Sequence, residues 1–242
     1  MIDQTTDQAQ KFKGKKKDWT NGVRKVLDLE TLLSTKRLDS YNKDLQAHLE
    51  NLKLIGKYTP KIALVEIALR NSLDHLLSAK DTEWINNSTD PRVIQMRTET
   101  LKACKATTLS HDSYLSKMTL GMVIYVIRQE NLLAHILDAT KIELQSYDPS
   151  NKKRHFINGR KSHLNHYHKA EAVLSLFHIL RNRCYHWENL TKVRVGKNGQ
   201  TYPRLTTKIL DNFIGIHPSK IGKFLDDLLR AFSEDLLRYA NH

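Results

Sequence analysis

Cysteine is nearly absent from this chain. Among its 242 residues only Cys104 and Cys184 occur, far apart and without a Cys-x-x-Cys pair, which argues against a disulfide framework and against a cysteine-ligated zinc site. Long apolar runs are missing too: the longest spans residues 122–127, whereas a helix needs roughly 20 apolar residues to cross a bilayer. The polar first residues contain no apolar signal segment. We therefore expect a cytoplasmic protein in a reducing compartment, with no membrane span.

Acidic residues and glycines are also in short supply. Lys and Arg number 39 against 26 Asp and Glu, which gives a formal net charge of +13. So basic a chain commonly binds a polyanion, because neutralising phosphates releases counterions. Of the nine glycines, Gly121, Gly196 and Gly199 form no phosphate-cradling loop of the Walker or dinucleotide type. The composition favours a nucleic-acid partner, and we expect no cofactor.

Two segments of the chain differ in composition. Residues 1–28 are polar and carry five lysines around Phe12, with no period that would bury a face. We interpret them as a basic, flexible N-terminal arm, either a solvated tail or a contact to nucleic acid. Residues 29–242 contain the periodic apolar positions, and a hydrophobic content of 40% for the whole chain is enough for one sizeable core.

Apolar residues in the second segment recur every three to four positions, the period of an amphipathic helix. Pro60 suits a first helical turn, and Asp90 suits an N-cap before Pro91. The pattern predicts helices over residues 38–52, 61–79, 91–106, 122–136, 162–187 and 218–239. Alternation around Gly196 and Gly199 adds one short β-hairpin near 193–202. The predicted fold class is all-α, a single-domain helical bundle with additional helices and that hairpin.

The most informative motif is Arg-Asn-x-x-x-His, which occurs at residues 70–75 and again at residues 181–186. In the second copy Arg181 borders the apolar side of the 162–187 helix. Packing of that side would hold the guanidinium in a fixed position. Asn182 and His186, four residues apart, share the neighbouring face. A guanidinium binds phosphate through two hydrogen bonds, and an imidazole exchanges protons near neutral pH. This combination is typical of phosphodiester chemistry.

RNA supplies its own nucleophile for such chemistry, the 2′-hydroxyl. Cleavage then needs a base for that hydroxyl, an acid for the leaving 5′ oxygen and cations for the phosphorane, all of which His and Arg provide without a metal. One His per chain is one too few for concerted acid and base catalysis. Two copies meeting at an isologous interface would supply both groups, so we expect a homodimer.

Glu66 lies inside the apolar stripe of the 61–79 helix, where an unpaired polar group costs roughly 2–7 kcal/mol. Two partners are open to it. Arg70 follows it by four residues, and Arg181 would meet it across packed helices, where Glu66 would orient the guanidinium. We favour a supporting role for Arg70 and Asn71 in the first copy of the motif, although a catalytic role for Arg70 with His75 stays open.

Other basic residues form a candidate phosphate track, for which an ordinary charged face is the equal alternative. The candidate RNA-binding residues are Lys152, Lys153, Arg154, Arg160, Lys161, Lys169 and Arg183. A cluster of histidines at residues 155, 163, 166 and 168 invites a zinc interpretation, but its spacing fits one helical face poorly. We interpret these histidines as solvated or facing RNA, and predict no metal site.

The stretch from Arg181 to Trp187 resembles the Arg-Asn-x-x-x-His end of the HEPN superfamily, specifically the abortive-infection (Abi-like) family of bacterial phage-defence and toxin proteins. Three further blocks resemble that family in the same order: residues 34–41 (STKRLDSY), residues 65–71 (VEIALRN) and residues 119–121 (TLG) before an apolar helix. The likeness covers roughly residues 30–240.

The resemblance implies a HEPN-type helical bundle and a metal-independent endoribonuclease of phage defence or of a toxin-antitoxin system. It further implies a paired active site across a dimer and products that end in a 2′,3′-cyclic phosphate. The catalytic roles fall on Arg181 and His186, with Asn182 as the polar residue after the arginine. The basic arm, and Trp187 and Glu188 after the histidine, have no match in the family, so the resemblance assigns them no role.

Two other functions compete with this one. A catalytically silent HEPN module would hold a small structured regulatory RNA and shift it in a gel without cleaving it. A protein–protein regulator of phage defence, for which the positive charge is incidental, would fail to bind RNA even at low salt.

Overall fold

Helices form most of the structure, a computed structural model that describes residues 27–157 and 160–242. They are α1 (Leu29–Leu33), α2 (Thr35–Leu38), α3 (Leu45–Ser78), α4 (Trp84–Asn87), α5 (Pro91–Cys104), α6 (His111–Lys117), α7 (Leu120–Gln129), α8 (Leu133–Ile136), α9 (His166–Tyr185), α10 (Ile221–Phe232) and α11 (Glu234–Ala240). Short 3₁₀ turns occupy Asp39–Tyr41, Ala139–Lys141, Leu144–Ser146 and Pro218–Lys220. Residues 1–26 of the predicted basic arm lie outside the described part of the chain.

Three antiparallel hairpins accompany the helices in the described part of the chain. They pair β1 (Arg154–Ile157) with β2 (Arg160–His163), β3 (Val193–Val195) with β4 (Thr201–Pro203), and β5 (Leu205–Ile209) with β6 (Asn212–Ile216). The hairpin predicted near 193–202 is confirmed. The other two were not predicted, so the fold is mainly helical rather than all-α with a single hairpin. In β5 Leu205 and Ile209 are buried, and Lys208 between them is exposed. This alternation is the period of a β-strand, which the prediction of helices did not include.

Helix α3 corrects the prediction of two helices separated at Pro60. It is one helix of 34 residues with Pro60 in its interior. Proline removes the N–H that would bond to the carbonyl of Gly56, but both residues lie on the exposed side of the helix, where no apolar contact is lost. On the opposite side Ile55 and Ile62 are almost fully buried, so the packing continues across the proline and keeps the helix whole.

Other helix boundaries also follow local capping. Helix α5 begins where predicted, with the Asp90 side chain accepting from the backbone of the first turn. The predicted 122–136 helix divides at Asn131, whose φ of 55° is left-handed, and the final helix divides at Ser233, which caps α11. Helix α9 begins later than residue 162, because the Asn165 side chain accepts from His168 N–H at 2.9 Å and residues 160–163 pair as β2.

One continuous hydrophobic core joins these elements. Helix α3 packs against α7, α9 and α10, and α9 packs against β5 on another side. Phe177 and Leu180 of α9 are fully buried, and burial of each such side chain contributes about 1.5–3 kcal/mol. The last turn of α9 is therefore held between helices and a hairpin. Within the described residues, no helix combines the length and the apolarity that a membrane crossing requires.

The continuity of α3 predicts that replacing Pro60 stabilises the protein. Pro60→Ala restores the missing backbone hydrogen bond, so the free energy of unfolding should rise by about 1–3 kcal/mol. Gly56→Ala is the matched control, because an added Cβ meets nothing within 4 Å, and it should add about 0.5–1 kcal/mol. Chemical denaturation measures both. A neutral or destabilising Pro60→Ala would indicate a chain break at residue 60 instead of one helix.

Candidate active site

The Arg-Asn-x-x-x-His motif at 181–186 occupies the end of α9, and a specific turn sets its geometry. His186 is the C-cap residue, and Trp187 follows with a left-handed φ of 56°. Trp187 N–H donates to Cys184 O at 3.1 Å and Glu188 N–H to Arg183 O at 2.9 Å, a Schellman pattern in which glycine usually holds the left-handed position. Tryptophan there costs about 1–2 kcal/mol, so other contacts must hold the turn.

Hydrogen bonds from Arg37 and Asn51 stabilise this turn. Arg37 Nη1 donates to the Trp187 carbonyl at 2.7 Å and to the His186 carbonyl at 3.4 Å. Asn51 Nδ2 donates to the Glu188 carbonyl at 3.0 Å, and Asn51 Oδ1 accepts from Leu190 N–H at 2.9 Å. The turn that carries His186 is therefore fastened to α2 and α3.

The Arg181 guanidinium is bound by Glu66 of α3. Nε lies 3.1 Å from Glu66 Oε2 and Nη2 lies 3.3 Å from Oε1, a two-pronged ion pair. Nη1 lies 3.5 Å from Asn182 Oδ1, and the guanidinium stacks 4.2 Å from the centre of the Tyr185 ring. Of the two partners considered for Glu66, Arg181 is the close one.

Arg70 performs a different task. Its Nη2 donates to the Met118 carbonyl at 3.1 Å and lies 3.9 Å from Glu66 Oε1, so it joins α3 to the segment that precedes α7. Asn71 and His75 are exposed on α3. The structure thus places Glu66 against Arg181 and Arg70 beside Glu66, and leaves Asn71 on the solvent side of the helix.

His178, one turn before Arg181, is a polar member of this cluster that the sequence analysis missed. Its ring lies over Gly121, where an added Cβ would stand 3.7 Å from Cε1. Burial, followed by the charges of Arg128 and Arg181, lowers the pKa of His178, while Glu66 opposes the shift. These causes favour a neutral imidazole between two guanidinium groups.

A second ion pair extends the polar face of α9. Arg128 of α7 binds Glu171 through Nε at 3.0 Å and Nη2 at 2.5 Å, and Nη2 also donates to Ser175 Oγ at 2.9 Å. Glu171, Ser175, His178 and Asn182 stand at spacings of four, three and four, a polar line along one face of the helix. That spacing was the available signal for His178 in the sequence.

The His186 side chain is exposed and lines a cleft of about 340 Å³. Three cationic residues share that lining, Lys36, Arg37 and Arg204, together with hydroxyl and amide groups from Ser34, Ser40 and Asn189. Glu188 is the one carboxylate among its lining residues. The cleft therefore suits an anion beside an imidazole. Within the described part of a single chain, Arg181 and His186 make no contact with each other.

The predicted RNA-binding residues fall into two groups. Lys152, Lys153, Arg154 and Arg160 are exposed. Lys169 and Arg183 are half-buried and make contacts within the fold, and their role in RNA binding stays a prediction. The Lys169 ammonium donates to the Ile142 carbonyl at 2.9 Å. The Arg183 guanidinium lies 3.5 Å from the Arg204 carbonyl and 3.8 Å from Glu188, and burial lowers its pKa. The side chain of Lys161 lies outside the described residues.

The cations beside His186 were not identified from the sequence. Lys36 and Arg37 belong to the 34–41 block that resembles the Abi-like family, which was a signal for the segment without a role for either residue. Arg204 belongs to none of the sequence motifs described above. Between residues 27 and 157 and between 160 and 242, no group of three or more His, Cys, Asp or Glu is placed to hold a metal ion.

Comparison with known proteins returned no match, whether to a family model, to a curated protein or to a solved structure. Membership of the HEPN superfamily therefore stays a prediction that rests on the sequence motifs.

The surroundings of His178 predict a pH dependence. Because its pKa is lowered in the folded state, the unfolded chain binds this proton more tightly. The free energy of unfolding should therefore fall as the pH drops below about 6.5, the ordinary histidine value, and level off below the folded-state pKa. NMR titration of the imidazole should give a pKa below the ordinary value, and Arg128→Gln should raise it. Titration of His178 at or above the ordinary value would contradict this description.

Proposed function

We propose that this chain is a metal-independent endoribonuclease of phage defence or of a toxin-antitoxin system, acting in the cytoplasm as a homodimer of HEPN type. The observation that carries the proposal is an exposed imidazole, His186, at the end of the helix that holds Arg181, in a cleft lined by three cationic residues. The net charge of +13 supports a polyanionic substrate.

The arrangement of Arg181 supports a role in phosphate stabilisation. A guanidinium carries five N–H donors. One on each of its three nitrogens points to Glu66 or Asn182, which leaves two, and the side chain keeps 25% of its surface exposed. Glu66 fixes the direction of these remaining donors, so a phosphate would meet a pre-oriented cation at little entropic cost.

The reaction proposed is attack of the 2′ oxygen on the adjacent phosphorus, with loss of the 5′ oxygen. A neutral His186 imidazole takes the proton from the 2′-hydroxyl, and a protonated imidazole gives one to the leaving oxygen. The products are a 2′,3′-cyclic phosphate and a free 5′-hydroxyl. Arg181, with Arg37 and Lys36 of the cleft, offsets the negative charge of the phosphorane.

A homodimer supplies the two imidazoles that this scheme requires. Exposed apolar side chains on elements next to the His186 cleft support such an interface: Leu29 and Leu32 of α1 are 51% and 64% exposed, and Leu45 and Leu49 of α3 are 41% and 47% exposed. Burial of these leucines against a second chain would stabilise a dimer.

A second candidate function, the silent RNA-binding module that holds a small structured regulatory RNA, also has an observation in its favour. Nε and Nη2 of Arg181, the edge of the guanidinium best suited to bind a phosphate through two hydrogen bonds, already bind Glu66. A protein in which this pair never opens would bind RNA through its basic surface without cutting it.

The proposal predicts that His186 is required for cleavage. Labelled RNAs incubated with the protein in EDTA should yield products with 2′,3′-cyclic phosphate ends, and His186→Ala should lower the rate by about 100-fold or more. His75→Ala is the matched control, because it removes the exposed histidine of the other motif copy, and it should leave the rate unchanged.

Circular dichroism of both variants should match that of the parent protein, since both side chains are exposed. Undiminished cleavage by His186→Ala would remove this residue from the mechanism. Retention of RNA in a gel shift with no product from any RNA tested would favour the silent module.

A further inference from the structure

The hairpin β5–β6 has two unlike faces. Its inner face packs Leu205 and Ile214 into the core against α9. Its outer face carries Phe213, which is 70% exposed, and Lys208, which is also exposed. Burying a phenylalanine is favourable by about 1.5–3 kcal/mol, so a ligand that covers the exposed Phe213 ring would gain free energy of that order.

A second hairpin, β3–β4, stands against this outer face. Gly215 makes the approach possible: a Cβ added there would lie 2.4 Å from Pro203 Cγ. Tyr202 packs over Gly196 in the same way, since a Cβ at that glycine would lie 2.8 Å from the Tyr202 ring. The two hairpins enclose a groove of about 460 Å³, which Tyr202 and Phe213 line.

Each of these aromatic rings has a basic residue directly opposite it across the strand pair. Arg194 pairs with Tyr202, and Lys208 pairs with Phe213. Residues opposite each other in antiparallel strands project from the same face, so two cation–aromatic pairs flank the groove. Lys152 joins Arg194 as a basic lining residue of the groove, against the single carboxylate of Asp211, while Lys208 stands beside Phe213 at its edge.

The groove adjoins the cleft of His186 through consecutive residues. Pro203 lines the groove, and Arg204 lines the cleft. On the other side Lys152 lines both the groove and a further basic cleft of about 530 Å³ with Lys153 and Arg154. The groove therefore shares lining residues with the basic cleft and is joined to the His186 cleft by adjacent residues of the chain.

We propose that the groove between the two hairpins binds single-stranded RNA next to the cleavage position, with bases stacked on Phe213 and Tyr202 and phosphates held by Arg194, Lys208 and Lys152. Aromatic rings interleaved with cations are the usual surface for single-stranded nucleic acid, because every base offers a flat face for stacking. A duplex keeps its bases stacked on each other and cannot use these rings. The inference rests on the proposed ribonuclease function and names its substrate class.

Binding of a fluorescently labelled single-stranded DNA oligonucleotide tests the groove apart from catalysis, because DNA has no 2′-hydroxyl and cannot be cleaved by the proposed reaction. Phe213→Ala and Tyr202→Ala should each raise the dissociation constant by about 5- to 100-fold, and single-stranded RNA should respond alike when measured on His186→Ala protein. Arg194→Gln should lower the slope of log affinity against log salt by about one unit.

Tyr239→Ala is the matched control, because Tyr239 is 69% exposed on α11 and outside the groove, and it should bind the oligonucleotide as the parent protein does. Wild-type affinity in Phe213→Ala, equal or tighter binding of a duplex, or no binding of any nucleic acid at low salt would overturn the proposal. Phe213-dependent binding of DNA by a protein that cleaves no RNA would retain the groove and reject the nuclease.

Discussion

The two-pronged ion pair between Glu66 and Arg181 is the interaction on which the candidate site depends. It joins α3 and α9, the two longest helices among the described residues, at a point where both side chains are mostly covered. A charged group in such a place is tolerated only with a partner and hydrogen bonds in good geometry, so neither residue is free to change alone. The pair sets the direction of the guanidinium.

Around this pair, the ends of distant segments converge on one helix. Arg37 fastens the turn at Trp187 although it lies 150 residues earlier in the chain, and the hairpin β5–β6 covers another side of α9. The left-handed Trp187 represents local strain that these contacts maintain. Strain held next to an exposed histidine is typical of functional sites, and here it places His186 over a basic cleft instead of continuing the helix.

Much of the helical core could be predicted from the sequence, because apolar period and capping residues act locally. Asp90 marks the start of α5 without tertiary information, and Glu66 within an apolar stripe indicates a partnered carboxylate. The prediction at Pro60 was wrong because Pro60 lies on the exposed side of a long helix. Whether the helix continues through it depends on the packing of the opposite side, which the local sequence does not show. Lys169 and Arg183 look like surface cations in the sequence, yet each side chain donates to a backbone carbonyl. These carbonyls are distant in the chain, so no local sequence pattern predicts the contacts. The cationic lining of the His186 cleft comes from residues far apart in the chain, which is why a motif search identified the imidazole and not its surroundings.

The most direct test of the account is a double-mutant cycle on the ion pair, with Glu66→Gln and Arg181→Gln made singly and together and the free energy of unfolding measured for each. We predict a coupling of about 1–3 kcal/mol, well above the roughly 0.3–0.5 kcal/mol expected from the same cycle on the exposed pair of Glu50 and Lys53 in α3. Additivity of the Glu66 and Arg181 substitutions to within about 0.5 kcal/mol would show that the two side chains do not hold each other, and would contradict the account.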